Sequence, residues 1–164
     1  MELIGGSPVS PVNIKIIVAE YKHLTDCKIA LQKSELGRVY FPDENKVHNA
    51  VNEGISKGEI SVAINEENVV LGFIWVIQKG AFHSYPYLHI IAVKEEYRSL
   101  GIGKRLIGHI EEKSGSSKLF LVVADFNFRA KKFYLDYGFK EVGCIPNLYK
   151  NGITEYLLVK EILK

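Results

Sequence analysis

A chain of 164 residues, 47% hydrophobic and 24% charged, has the size and composition of one globular domain with a substantial core. A net charge of +2 excludes the strong basic excess of a dedicated nucleic-acid binder, and no apolar stretch approaches bilayer-spanning length. Two cysteines, Cys27 and Cys144, are too few for a disulfide framework or a zinc site and read as reduced, buried small hydrophobes of a cytoplasmic protein.

Residues 1–12 carry Gly5, Gly6, Ser7, Pro8 and Pro11 and read as a flexible lead-in without signal-peptide character. A single domain over 13–164 follows. The β-branched run Ile14 to Ala19 predicts a first strand. Thr25 or Asp26 is the expected cap of a helix running to about Lys33, and Asp43 the cap of a second, with Val47, Ala50, Val51 and Ile55 at helical spacing. Gly58 stops it. Strands follow at Glu59 to Asn65 and Val69 to Gln78, a connection at Gly80 to Pro86, and a central strand at Tyr87 to Val93.

The helix from Gly101 to Lys113 buries Ile102, Leu106, Ile107 and Ile110 on one face, and Ser114 to Ser117 end it. Lys118 to Val123 is nearly all apolar, as in a strand covered on both faces. A helix from Phe128 to Tyr137 ends at Gly138. Strands at Lys140 to Cys144 and Ile153 to Ile162 flank a turn at Asn151-Gly152. The order is β-α-α-β-β-β-α-β-α-β-β, a mixed α/β domain built on one main sheet.

Between the central strand and the next helix lies Arg98-Ser99-Leu100-Gly101-Ile102-Gly103-Lys104. Strand, glycine-bearing turn and helix start make a phosphate site. The first N–H groups of a helix lack partners and carry the positive end of its dipole. Gly101 and Gly103 permit close approach to the backbone, and Arg98, Lys104 and Arg105 add charge at the rim. The dinucleotide pattern G-x-G-x-x-G fails at Leu106, and the P-loop pattern fails at Arg105. What fits is [RQ]-x-x-G-x-[GA].

That pattern resembles the acyl-CoA diphosphate loop of the GCN5-related N-acetyltransferases (GNAT), and the likeness extends from about Ile14 to the C-terminus. A second segment, Asn127-Phe128-Arg129-Ala130-Lys131-Lys132-Phe133-Tyr134-Leu135-Asp136-Tyr137-Gly138-Phe139, resembles the family's N-x-x-A-x-x-F-Y-x-x-x-G-F. The resemblance implies the acyl-CoA N-acyltransferase fold, with splayed central strands that admit the pantetheine arm. It implies acetyl-CoA as co-substrate, held by the main chain of Ile91, Ala92 and Val93 and by Arg98, Ser99, Leu100, Gly101, Ile102, Gly103 and Lys104. Asn127 either caps its helix or bonds the cofactor arm. Ala130 leaves room for it. Phe133 and Tyr137, four apart, share a core face. Lys131, Lys132, Lys104 and Arg105 either meet the cofactor's 3′-phosphate or are ordinary solvated charges.

Acetyl transfer to an amine needs a deprotonated amine, a stabilised oxyanion and a proton or hydrogen bond for the departing thiolate. By resemblance Tyr134 serves the thiolate. Strand alternation places Tyr87, His89 and Ile91 on one face, where a neutral His89 suits proton abstraction. His89 is either that base or a half-buried strand histidine. Arylalkylamine N-acetyltransferases carry two histidines on this strand, at the positions of Tyr87 and His89, and here only the second is histidine. Phe82, Tyr85, Trp75, Arg38, Tyr40, Phe41 and Tyr149 are candidates for the acceptor pocket, and His83 is either near it or solvent-facing. The acceptor is a primary amine on a small molecule or on a peptide. A non-catalytic acyl-CoA sensor on the same fold is the alternative. No metal, nucleic acid or membrane partner is expected; the family is often dimeric, and the sequence leaves a homodimer open.

Overall fold

The computed structural model describes residues 13–163, so the lead-in over 1–12 lies outside the described residues. Seven strands form one sheet: β1 (Lys15–Val18), β2 (Ile60–Ile64), β3 (Val70–Ala81), β4 (Tyr85–Val93), β5 (Lys118–Ala124), β6 (Lys140–Pro146) and β7 (Thr154–Glu161). Their order across the sheet is β1-β2-β3-β4-β5-β7-β6. Every pairing is antiparallel except β4 with β5, which is parallel.

Helices cover both faces. On one, α1 (Leu24–Gln32) and α3 (Glu44–Ser56) bury Leu31, Val47 and Val51 against Phe73, Trp75 and Ile90. On the other, α4 (Ile102–Lys113) buries the expected Ile102, Leu106, Ile107 and Ile110 against Leu88, Leu121 and Leu158. There α5 (Phe128–Tyr137) packs Phe133 and Tyr137 on the same cluster. Apolar burial on both faces of the central strands holds the layers together.

The structure corrects the expected element list in several places. A further helix, α2 (Glu35–Tyr40), stands between the two predicted ones. Ser34 caps it, accepting from the Gly37 N–H at 2.9 Å. Six residues are too few for a periodic signal. Gly37 is required by packing, since a Cβ there would lie 1.8 Å from the Leu31 carbonyl oxygen.

Neither Thr25 nor Asp26 caps α1; the cap position is His23, reached through a single 3₁₀ turn. Asp26 instead faces Lys94 at 2.5 Å, tying α1 to the end of β4. Asp43 caps α3 as expected, accepting from the Asn45 N–H at 2.7 Å.

The connection predicted at Gly80 to Pro86 is a tight hairpin turn. Strand pairing runs to Ala81 and Tyr85, and the Ser84 N–H donates to the Ala81 carbonyl at 3.1 Å. Phe82 and His83 both have φ of +56°, as a type I′ turn demands, without the usual Asn or Gly. β5 is not covered on both faces along its length. Leu119, Leu121 and Val123 are buried, while Phe120 and Val122 are only partly so. Cys27 is buried, which pushes its thiol up to about 12, but Cys144 is exposed on β6.

Candidate active site

β4 and β5 pair at one position only, Tyr87 with Phe120, and then diverge. The gap between them opens into a groove of about 620 Å³. From β4 it is lined by His89, Ile91, Ala92 and Val93, and from β5 by Val122 and Ala124. The start of α4 contributes Arg98, Ser99, Gly101, Ile102, Gly103 and Lys104, and α5 contributes Asn127, Ala130 and Tyr134. Of the residues singled out for cofactor and chemistry, Leu100, Arg105, Lys131 and Lys132 are not part of the lining; the Leu100 side chain is 39% exposed. Ser34, Glu35 and Leu36 of the unforeseen α2 also reach the groove.

The turn into α4 is built for its two glycines, though not for the reason close ligand approach would give. Gly101 has φ of +80° and open space around its missing Cβ, so the backbone angle requires glycine there. Ser99 also adopts positive φ, +66°. Gly103 faces Phe133, whose ring would lie 3.1 Å from a Cβ, so this glycine lets α4 and α5 approach. The first turn of α4 holds no acidic residue, which leaves its positive dipole end uncompensated.

The charges are distributed differently from the sequence expectation. Arg98 braces the loop: Nε donates to the Val93 carbonyl at 3.1 Å and Nη2 to the Lys33 carbonyl at 3.2 Å. Arg105 is not at the rim. It turns to the opposite side of α4 and donates to the Ile14 carbonyl at 3.1 Å. Lys131 pairs with Glu141 and lies over the Tyr156 ring, and Lys132 pairs with Asp136, so both have partners elsewhere. Lys104 and Arg129 line the groove without an ion-pair partner among the described residues. Arg129 was passed over in the sequence because nothing local marks it.

His89 sits in a β-bulge. Trp75 pairs with Ile90 and Val76 with Leu88, so His89 has no partner on β3. The bulge resets the alternation. Ile90 and Ala92 join the cluster under α1 and α3, while Leu88, Ile91 and Val93 pack toward α4. Tyr87, His89 and Ile91 therefore do not share a face. The His89 ring stands edge-on to Trp75 at 4.7 Å and 6.0 Å from Tyr87. Burial lowers its pKa below the ordinary histidine value, opposed by the charge of Glu53, so the imidazole is neutral at pH 7.

Tyr134 is buried between Phe133 and Phe139, with ring centroids at 5.5 and 5.6 Å, and faces the same groove. Burial raises its pKa above the ordinary phenol value, so the hydroxyl keeps its proton. Asn127 holds the cap position of α5 but makes no capping hydrogen bond, which leaves its amide for the groove it lines.

Beyond His89 the aromatic candidates divide. Trp75 is buried, with its indole N–H 3.4 Å from Glu59. Phe41 is half-buried against the core, Arg38 and His83 are exposed, and Phe82 and Tyr85 pack on Phe120. Tyr40, Tyr87 and Tyr149 come together. The Tyr87 and Tyr149 hydroxyls are 3.2 Å apart, and the Tyr40 and Tyr149 rings 5.7 Å. Tyr40 donates to Glu155 at 2.9 Å. Glu155 was missed in the sequence, where it is one acid in a strand of otherwise ordinary alternation. Among the described residues, no group of three or more His, Cys, Asp or Glu side chains is placed to hold a metal ion, and no helix is long and apolar enough to cross a membrane.

Comparison with known proteins decides the family. The model of the acetyltransferase (GNAT) family matches residues 21–139. The chain belongs to the GNAT acetyltransferase family. A GNAT acetyltransferase of Bacillus cereus superposes with a TM-score of 0.75 over 92% of this chain and 99% of its own, at 19% identity. A Bacillus anthracis protein assigned as a streptothricin acetyltransferase, solved with acetyl coenzyme A, is 28% identical. Its TM-score is 0.58 over 67% of this chain and 66% of that one. The 5-NmdU N-acetyltransferase of Pseudomonas phage PaMx11 is 33% identical over 99 residues, 60% of this chain and 69% of the phage protein. An uncharacterised protein of Mycobacterium leprae is 30% identical over 102 residues, but the match spans only 28% of its length.

Proposed function

We propose that this GNAT domain transfers the acetyl group of acetyl-CoA directly to a primary amine. One observation carries the reading. A single groove is lined by the acid-free N-terminus of α4, by a neutral histidine and by a protonated tyrosine. The groove suits the cofactor: apolar strands along its length, and helix N–H groups with Lys104 and Arg129 for a diphosphate. The phage N-acetyltransferase and the acetyl-CoA-bound Bacillus anthracis structure support the same reading. Both cysteines are free, which suits a reducing cytoplasm.

In this mechanism His89 takes a proton from the acceptor ammonium, directly or through water. The freed nitrogen lone pair attacks the thioester carbonyl. Main-chain N–H groups of β4, which lines the groove, stabilise the oxygen that becomes negative. As the C–S bond breaks, the Tyr134 hydroxyl donates its proton to the leaving thiolate. The products are an amide and CoA thiol, with no acyl-enzyme.

Thiol release from acetyl-CoA with a panel of amines, amino acids and peptides tests this reading. Turnover with one acceptor class supports it. Acetyl-CoA binding without turnover of any acceptor returns the protein to the sensor alternative.

A further inference from the structure

Glu155 lies on β7 opposite Ala124 of β5. In the same register Val123 faces Tyr156 and Leu121 faces Leu158, which pack toward α4. Glu155 therefore projects from the other face, the one that carries Trp75 and α2. It is 1% exposed. A carboxylate this deep ordinarily has a cation or several donors. Among the described residues Glu155 has no ion pair, and its one side-chain hydrogen bond comes from the neutral Tyr40 hydroxyl. Asp125, whose charge acts on it, has the same sign. Lys150 is 5.9 Å from the centre of the Tyr40 ring, but its ammonium donates to the Val39 carbonyl at 2.7 Å.

The walls are aromatic. Tyr40 stands 5.8 Å from Phe126 and 5.7 Å from Tyr149, and Tyr149 meets Tyr87, the neighbour of His89. A buried carboxylate without a cation, hydrogen-bonded into a cluster of tyrosines, is what a desolvated ammonium needs.

Building on the proposed acetyl transfer, we infer that Glu155, walled by Tyr40, Tyr149 and Tyr87, holds a second cationic group of the acceptor. The acceptor is then a diamine or polyamine: one nitrogen reacts beside His89 and the other is anchored at Glu155. The two points are separated by β5, two strand spacings across the sheet, so the nitrogens stand roughly 10 Å apart.

The test is thiol release at saturating acetyl-CoA with 1,5-diaminopentane, spermidine and n-pentylamine, using wild type, Glu155→Gln and Tyr149→Ala. Gln keeps the volume and an oxygen for Tyr40. Wild type is expected to favour the two polyamines over n-pentylamine by at least about 10-fold in kcat/KM. Glu155→Gln should lower kcat/KM for the polyamines roughly 10- to 100-fold, through KM, the range for one charge-assisted bond. The KM for acetyl-CoA and the rate with n-pentylamine should stay unchanged. Tyr149, 54% exposed, should show a smaller loss of about 3- to 10-fold on truncation.

A purely structural Glu155 behaves differently. Burial raises its pKa, so the free protein gains nothing from its charge at pH 8, and Glu155→Gln should melt no lower than wild type. Equal losses for mono- and polyamines, a lowered melting temperature without a KM effect, or turnover confined to acceptors with no second charge overturns the cation site alone. Acetyl-CoA binding with no turnover of any amine overturns the transfer function and this inference with it.

Discussion

The α4 end of the groove and the side-chain cluster at the closed end of the splay, of which only His89 lines the groove, are assembled by different means. Where β4 runs into α4, the site is main chain: a strand, a turn at Ser99 and Gly101 with positive φ, and a helix start. All of it falls within about a dozen consecutive residues. At the closed end of the splay, the site is side chain: Tyr40 from α2, Tyr87 and His89 from β4, and Tyr149 and Glu155 from the last hairpin. These come from three separate stretches of the chain. The first end depends on backbone geometry and tolerates side-chain change. The second depends on particular groups at particular distances.

The largest effect expected from breaking this contrast is at Tyr134, which lines the groove from α5. Replacing it with Phe removes only the hydroxyl, and Phe133 and Phe139 still hold the ring. A general acid for the thiolate predicts a fall in kcat of roughly 10²- to 10⁴-fold, with little change in the KM for acetyl-CoA. Unchanged turnover at saturating acetyl-CoA would remove Tyr134 from the chemistry.

His89→Gln comes next, with an expected loss in kcat/KM of about 10²-fold. The sign of its pH dependence follows from burial. The imidazole pKa is depressed, so the base form is complete above that value and is lost as pH falls through it. Wild-type kcat/KM should therefore rise with pH through an inflection below the ordinary histidine value of about 6.5. The variant should lack that inflection. A profile with the same acid limb in both proteins would assign the base elsewhere.

The same contrast explains what was legible in the sequence. Arg98 to Lys104 announces itself because a helix-terminus anion site is local, and its glycines mark a turn that few other residues permit. The strand order and the face of α4 follow from periodicity. The bulge at His89 does not, because an extra residue in one strand is decided by pairing with another, and it reverses the face assigned to Ile91. Glu155 is invisible for a similar reason. One acid in an alternating strand reads as solvated until the fold covers it with Tyr40. Helix α2 was lost because six residues around Gly37 carry no pattern.

At the main-chain end the expected effects are smaller. Gly101→Val forces a β-branched residue into φ of +80° and costs about 1–3 kcal/mol of local strain. The turn relaxes away from the phosphate geometry, so the KM for acetyl-CoA should rise about 10-fold while the acceptor KM holds. Titration calorimetry with CoA alone would separate this from a catalytic defect.

The smallest effect divides two neighbouring cations that look equivalent in sequence. Lys104 lines the groove beside the α4 N-terminus, and Arg105 faces the opposite side, hydrogen-bonded to the Ile14 carbonyl. Lys104→Ala should raise the KM for acetyl-CoA only a few-fold, because an exposed charge near a phosphate contributes under about 1 kcal/mol and is screened by salt. The difference from wild type should shrink as ionic strength rises. Arg105→Ala should leave that KM unchanged at every salt concentration. It should instead lower the melting temperature slightly, since one hydrogen bond between α4 and the residue preceding β1 is lost. If both variants weaken cofactor binding alike, the helix presents both cations to the phosphate, and the orientation of Arg105 is wrong.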